Sequence, residues 1–289
     1  PRRPARGGHV MATSDRRDAG RAVRILLAGA RPGVECVHAG AVGTGPNGDL
    51  VRGALAAEGV TLSAPPVADL DTGVWGVLGE PSAERTFVTT QGAERQITVQ
   101  SLAASNPVPG DLVCVSGYSL VGRTRDPLVE WLDTLADGVV VVLDPGATFA
   151  GLAEPLRDRV LARTDVWTGN ADEAAALTGV RGMREAAEVV ATLLAPDAVT
   201  IVRDGARGCA VRESGRTTHC PGHPQRPVDT NGAGDTHTGV LLAERATGAS
   251  WPEAAARANT AGAIKVTRRG PDTAPTRAEI DAFLAALPR

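Results

Sequence analysis

The stretch DTNGAGD, Asp229 to Asp235, opens the longer run PVDTNGAGDTHTGVLLAERATG, Pro227 to Gly248, in which a glycine turn flanked by two aspartates leads into an apolar, alanine-rich segment. The spacing predicts a helix from about Gly232 to Thr247. Gly232, Ala233 and Gly234 are small enough to let a ligand approach the backbone, and amides at a helix start point outward and attract anions. Asp235 falls in the first turn, beside those donors. A carboxylate there stays ionised and can take a proton from a hydroxyl while the amides stabilise a phosphoryl group in transfer. Read only locally, the same residues make an ordinary capped helix, with Asp229 or Thr230 as cap. No Gly-Lys-Ser/Thr follows, so this is not a Walker-type phosphate loop.

Outward from this turn, short apolar runs alternate with helical patterns. GDLVCVSG (Gly110 to Gly117), GVVVVLDPG (Gly138 to Gly146), TDVWTGN (Thr164 to Asn170) and DAVTIVRDG (Asp197 to Gly205) read as buried parallel strands. Between them lie helical patterns over Asp126 to Ala136, Leu152 to Ala162, Asp172 to Thr178 and Met183 to Leu194. ECVHAGAVG (Glu35 to Gly43) reads as a strand running into a turn, followed by a helix from Gly48 that Gly59 stops. Alternation of this kind implies a sheet covered on both faces. Thr72 to Gly92 instead alternates with period two around a polar turn, which predicts an antiparallel hairpin projecting as part of a small lid. Trp251 to Thr267 and Arg277 to Leu287 complete a helical C-terminal third.

Composition bounds the function. The 289 residues are 43% hydrophobic and 22% charged, enough for one large α/β domain spanning the chain. A net charge of −3 with scattered arginines argues against a nucleic-acid partner, and no apolar run approaches the roughly 18 residues of a membrane span. The first twenty residues lack the apolar core of a secretion signal, so a cytoplasmic protein is expected. Cys36, Cys114, Cys209 and Cys220 show neither metal-ligand nor disulfide spacing and read as reduced core thiols.

DTNGAGD resembles the D-T-x-G-A-G-D signature of the ribokinase-like, or PfkB, carbohydrate kinases. The resemblance implies that Asp235 is the catalytic base and that Gly232, Ala233 and Gly234 form the anion hole for a γ-phosphate. Other segments match in the family's order. TGNADEAAALTG (Thr168 to Gly179) is similar to the N-x-x-E segment, which places Asn170 and Glu173 in the magnesium and phosphate network, Glu173 acting on Mg2+ through water. Taken alone, Glu173 is a first-turn helix carboxylate. VRDGARGCAV (Val202 to Val211) resembles the nucleotide loop, with Gly205 and Gly208 allowing close approach and Arg203 reaching a phosphate; taken alone it is a plain turn. ANTAGAIKVTRRGPDTAPT (Ala258 to Thr276) resembles the segment that completes the adenine pocket, with Asn259 nearest the base. A potassium-type ion on backbone groups of Asp229, Asn231 and the Gly270 turn is also implied. Ala39 to Val60 resembles the V-G-x-x-x-x-G helix unit, and Asp71 to Val88 the lid hairpin.

The implied fold is the ribokinase-like three-layer α/β sandwich, a mostly parallel central sheet between helices with a β lid at about 7–19 and 71–92. The implied activity is ATP- and Mg2+-dependent phosphorylation of a hydroxyl of a small sugar. Two alternatives stand beside it, a nucleoside kinase of the adenosine-kinase type and a catalytically impaired nucleotide-binding relative. A homodimer through the lid is a further expectation. The N-terminal part departs from the family pattern. GGHVMATSDRRDAG resembles the second lid strand, so a first strand with an acceptor-gripping Asp is expected to be absent, and where the family has Gly-Gly-x-x-Asn this chain has Arg21 and Arg24.

Overall fold

A computed structural model of the chain describes residues 17–79 and 85–287. In chain order the elements are α1 (Arg21–Ala30), β1 (Val37–His38), α2 (Pro46–Ala57), β2 (Thr61–Leu62), β3 (Trp75–Gly79), β4 (Arg85–Thr89), α3 (Val99–Ala103), β5 (Leu112–Ser116), α4 (Arg125–Leu132), β6 (Val140–Asp144), α5 (Glu154–Ala162), β7 (Val166–Asn170), α6 (Ala171–Thr178), α7 (Met183–Ala191), β8 (Val199–Arg203), β9 (Cys209–Glu213), β10 (Arg216–Cys220), α8 (Ala233–Ala246), α9 (Trp251–Val266) and α10 (Arg277–Ala285).

The central sheet has the order β10-β9-β8-β7-β6-β5. Strands β5 to β8 pair in parallel, whereas β9 returns antiparallel to β8 and β10 antiparallel to β9. Every residue of β8, and all of β6 after Val140, is buried, as a sheet covered on both faces requires. Successive residues then serve opposite layers. Val141, Leu143, Trp167 and Val202 pack on one side with Leu128, Trp131, Leu132, Val160 and Val190 of the helices α4, α5 and α7. Val142, Val166 and Ile201 pack on the other with Val240, Leu241, Ala254, Ala258 and Ile280 of α8, α9 and α10. These two faces are the layers of the three-layer sandwich.

The helix starts follow local chemistry. Asn170, Ser250 and Thr276 cap α6, α9 and α10 in capping boxes with Glu173, Glu253 and Glu279. The hairpin expected around residue 80 is present as β3 paired antiparallel with β4; its turn, residues 80–84, lies outside the described residues. So does the segment read as a lid strand, up to residue 16, and with it the expectation about a first strand.

One expectation is corrected, and two elements come in addition to those read from the sequence. The strand read from Glu35 to Gly43 is reduced to Val37–His38, paired with β2, plus an isolated bridge from Gly43 to Val67. The chain turns there because its backbone is pressed against a neighbour: a Cβ on Gly43 would lie 2.3 Å from the carbonyl oxygen of Leu70. β10 has too polar a sequence, RTTHC, to read as a strand alone, and it forms by hairpin pairing with β9. The short α3 carries only one buried residue, Leu102, and has no periodicity long enough to announce itself. Among the described residues the four cysteines are free thiols, and no helix is long and apolar enough to cross a membrane.

Candidate active site

Parallel strands in open α/β sheets carry their ligands at their carboxyl ends. Here those ends deliver Asp144 from β6, Asn170 from β7 and Arg203 from β8, the last two paired in register. The start of α8 faces them. Gly232 enters this helix in the left-handed region, at φ 81°. Ala233 N–H turns back to Thr230 O at 3.3 Å, and Thr236 N–H bonds Gly232 O at 2.9 Å. The amides of Gly234 and Asp235 remain as the orphan donors that every helix start presents. Asp235 itself is almost entirely buried, 4% exposed.

Around Asp235 the structure brings together a mixed cluster of charges. Arg203 is buried beneath the turn, donating from Nη1 to Gly234 O at 2.8 Å and lying 3.8 Å from Asp144 and 3.9 Å from Glu173. The sequence places Arg203 on a phosphate; the structure makes it a strut that ties the turn of α8 to the ends of β6 and α6. Asp144, wholly buried, accepts from Thr238 Oγ1 at Oδ2 (3.2 Å), and its Oδ1 has no hydrogen-bond partner among the described residues. No motif in the sequence singles out Asp144. The available signal is an acidic residue ending the apolar run VVVVLD at a strand's carboxyl end.

Asn170 and Glu173 exchange two hydrogen bonds of 2.8 Å, side chain to backbone in each direction. These bonds are the capping box of α6 and bear out the capping reading of Glu173. Burial raises its proton affinity above the usual carboxylate range, Arg203 opposes this, and Asp144 adds to it. Among the described residues no group of three acidic, histidine or cysteine side chains could hold a metal by itself. Asp144, whose Oδ1 faces Arg21 at 3.5 Å and Arg203 at 3.8 Å without a hydrogen bond among the described residues, and Glu173 are the carboxylates that would hold a magnesium ion keeping its waters and taking its remaining ligands from phosphates.

The segment read as a nucleotide loop forms a short helical turn, Gly205–Arg207, between β8 and β9. Gly205, at φ 55°, has open space where a side chain would stand. Gly208, at φ 89°, is required by packing, since a Cβ would lie 2.1 Å from Cys220 O. Asn259 is 8% exposed and fully engaged: its amide donates to Cys220 O at 3.0 Å and to Pro221 O at 3.3 Å, and its oxygen meets His237 Nε2 at 3.1 Å. It locks α9 to α8 and to the end of β10 rather than offering its amide outward. The expected cation turn is also closed. Asp229 accepts from Asn231 N–H (2.9 Å) and Gly270 N–H (3.0 Å) at its carboxylate, while its carbonyl accepts from Lys265 Nζ at 2.8 Å. A potassium-type ion would find that carbonyl already bonded to an ammonium.

His237 gives the site a pH limit. Because Asn259 spends its amide elsewhere, His237 Nε2 is the donor to Asn259 Oδ1, and burial, then Arg203, lower its pKa to about 3. A histidine with a folded pKa below its unfolded value contributes stability above about pH 6.5, which is lost as pH falls toward that folded value. Thermal melts between pH 7 and 4 are expected to fall less steeply in His237→Gln than in the parent; equal slopes would remove His237 from the titration.

The last part of the site comes from α1. Arg21 Nε donates to Asp235 Oδ1 at 3.0 Å, and Arg24 Nε donates to Oδ2 at 2.6 Å. Arg21 Nη2 lies 3.5 Å from Asp144, and the guanidinium stacks 5.3 Å above the centre of the Tyr118 ring. Burial works against the charge of Arg21, but Asp144, Asp235 and Glu173 outweigh it and hold its proton more firmly than usual. The reach is set by backbone: one turn beyond Asp235, Gly239 is so close to α1 that a Cβ would stand 2.3 Å from Ile25 O.

The profile of the pfkB family carbohydrate kinases matches residues 13–277. The chain belongs to this family. Among its relatives in the family, the uncharacterized sugar kinase YegV of Escherichia coli K12 is 33% identical over 267 residues, covering 90% of this chain and 81% of the relative. A ribokinase of Haemophilus influenzae is 29% identical, covering 92% and 86%. A putative ribokinase II from E. coli, solved in complex with ATP and Mg2+, superposes with a TM-score of 0.78 at 25% identity, covering 92% of this chain and 88% of that one. As a pfkB family member the chain is a phosphotransferase, and its ribokinase-like fold is the one its sequence implied.

Proposed function

We propose that this chain transfers the γ-phosphate of ATP, with Mg2+, to a hydroxyl of a small sugar. The observation that supports this most is the position of Asp235 in the first turn of α8, beside the amide donors of that turn and facing the carboxyl ends of β6 to β8. In this reading Asp235 takes the proton of the acceptor hydroxyl as that oxygen bonds the γ-phosphorus and the bond to the ADP oxygen breaks; the proton then passes to solvent. The orphan amides of Gly234 and Asp235 receive the charge on the transferring group. Mg2+ bound with the phosphates supplies charge neutralisation there, and Asp144 and Glu173 are the carboxylates placed to hold its waters. Gly205 leaves room for the nucleotide at the loop, and Arg203 and Asn259 serve by fixing that loop and α8. The exposed Val74, Trp75 and Val88 of the lid hairpin offer apolar surface on which a second copy would pair.

Coupled ATP turnover over a panel of sugars and nucleosides tests the activity and separates the two acceptor classes. Glu173→Gln is expected to raise the magnesium concentration for half-maximal rate several-fold. Gln preserves the capping box, and removing a buried carboxylate whose proton affinity is raised leaves the melting temperature equal or higher. Unchanged magnesium dependence would take Glu173 out of the metal's shell.

A further inference from the structure

Both oxygens of the candidate base are occupied by guanidinium groups, Arg21 on one and Arg24 on the other. Each oxygen keeps a second lone pair, but a carboxylate whose charge is shared by two guanidinium groups is a poor acceptor for a hydroxyl hydrogen, so release of the pair favours transfer. What can release it is a matter of charge balance. Arg21, 22% exposed, keeps Asp144 at 3.5 Å when it leaves Asp235, whereas Arg24, 10% exposed, gives up its carboxylate with little water to turn to. A neutral polyol offers hydroxyls but no countercharge. An acceptor carrying its own anionic group can take the guanidinium forks in exchange for Asp235. Asp235 is then free for the hydroxyl proton and becomes neutral as it receives it, so each cation stays paired throughout the reaction.

A second observation points the same way. Arg21 Nη1 is buried and has no hydrogen-bond partner among the described residues. It lies against Gly146, where a Cβ would come within 2.8 Å of it and within 2.6 Å of Tyr118. The glycine, at φ 58°, has no side chain to hold Arg21 and Tyr118 off, so both pack against its backbone. A buried guanidinium donor without an acceptor is a hydrogen bond still to be made when the arginine moves to an incoming anion.

We infer that Arg21 and Arg24 select an anionic acceptor, a sugar bearing a phosphate or a carboxylate, and that this anion uncovers Asp235. The inference rests on the kinase reading for the role of Asp235, but its binding consequence does not depend on turnover. Calorimetry on the full chain, with Mg2+ and a nonhydrolysable ATP analogue saturating the γ-phosphate place, would compare ribose and fructose with ribose 5-phosphate, fructose 1-phosphate, fructose 6-phosphate and gluconate. At least one anionic probe is expected to bind ten- to a hundredfold more tightly than its neutral counterpart, and the advantage should shrink as salt is raised. The phosphate and carboxylate arms distinguish the two sources of the anion. In Arg21→Gln/Arg24→Gln the advantage should fall to about threefold or less, whereas Arg21→Lys/Arg24→Lys should retain part of it.

Neutral sugars bound as well as anionic ones, no anionic probe bound at millimolar concentration, or an advantage untouched in the Gln pair would each overturn the inference. Steady-state assays on the same proteins separate it from the kinase reading. Neutral-sugar phosphorylation with a low KM that the Gln pair leaves unchanged would sink the inference and keep the kinase. Anion-selective binding lost in the Gln pair, with no ATP consumed for any acceptor, would sink the kinase reading and keep the selection.

Discussion

Asp235→Asn is expected to lower turnover by roughly 10²–10⁴-fold, the range for loss of a general base, while the Kd for Mg–ADP changes little. The amide is isosteric and cannot take the hydroxyl proton. It also removes the negative charge shared by Arg21 and Arg24, so the variant should melt lower than the parent, since charge-assisted hydrogen bonds contribute about 1.5–3 kcal/mol each. Folding and chemistry are separated by assaying well below the variant's melting temperature and by circular dichroism at the assay temperature. A soluble, folded Asp235→Asn that turns over like the parent would show that another group takes the proton.

Gly232→Ala should act mainly on stability and on the anion hole. Its φ of 81° is a conformation in which an L side chain costs about 1–2 kcal/mol, and the added Cβ would stand 2.6 Å from Pro271 O, a backbone atom that cannot swing aside. The two costs together reach roughly 2–4 kcal/mol, and at about 2–4 °C per kcal/mol the melting temperature should drop by roughly 4–16 °C. Any folded remainder must shift the loop of Pro271 or the first turn of α8, so the affinity for Mg–ATP should weaken as well. By contrast, Gly205→Ala meets no neighbouring atom and serves as the control for the melting temperature alone, its folding cost confined to the backbone conformation at φ 55°. A Gly232→Ala protein with the parent's melting temperature and nucleotide affinity would mean that the turn is not held as described.

Much of this arrangement was legible in the chain because it rests on local patterns. Buried parallel strands announce themselves as apolar runs, and β5 to β8 fall inside the runs read for them. Helix starts with Asn170 and Glu173, or Ser250 and Glu253, carry their caps in the sequence. What was not legible depends on partners distant in sequence. Arg21 and Asp235 are 214 residues apart, and nothing near either one says they touch. Asp144 and Lys265 look like ordinary members of a strand and a helix until the fold buries them, one with an orphaned oxygen and the other with its ammonium on Asp229 O. Arg203 and Asn259 show the same limit: the sequence reads them as nucleotide contacts, but it could not show that Arg203 Nη1 bonds Gly234 O and that the Asn259 amide bonds Cys220 O inside the fold.

The near-contact of Gly239 with Ile25 O has a consequence for how such an enzyme changes its diet. With no side chain between the two backbones, α1 and α8 move as one piece, and interiors packed this closely respond in steps rather than by gradual sliding. If α1 selects the acceptor as proposed, it cannot be shifted to suit a larger or smaller molecule without carrying Asp235 along with it. New tastes have to be acquired by exchanging the side chains at positions 21 and 24 on a fixed frame. A descendant of this chain could thus switch acceptors by two substitutions, while the rest of the lineage keeps the same distance between chooser and reagent.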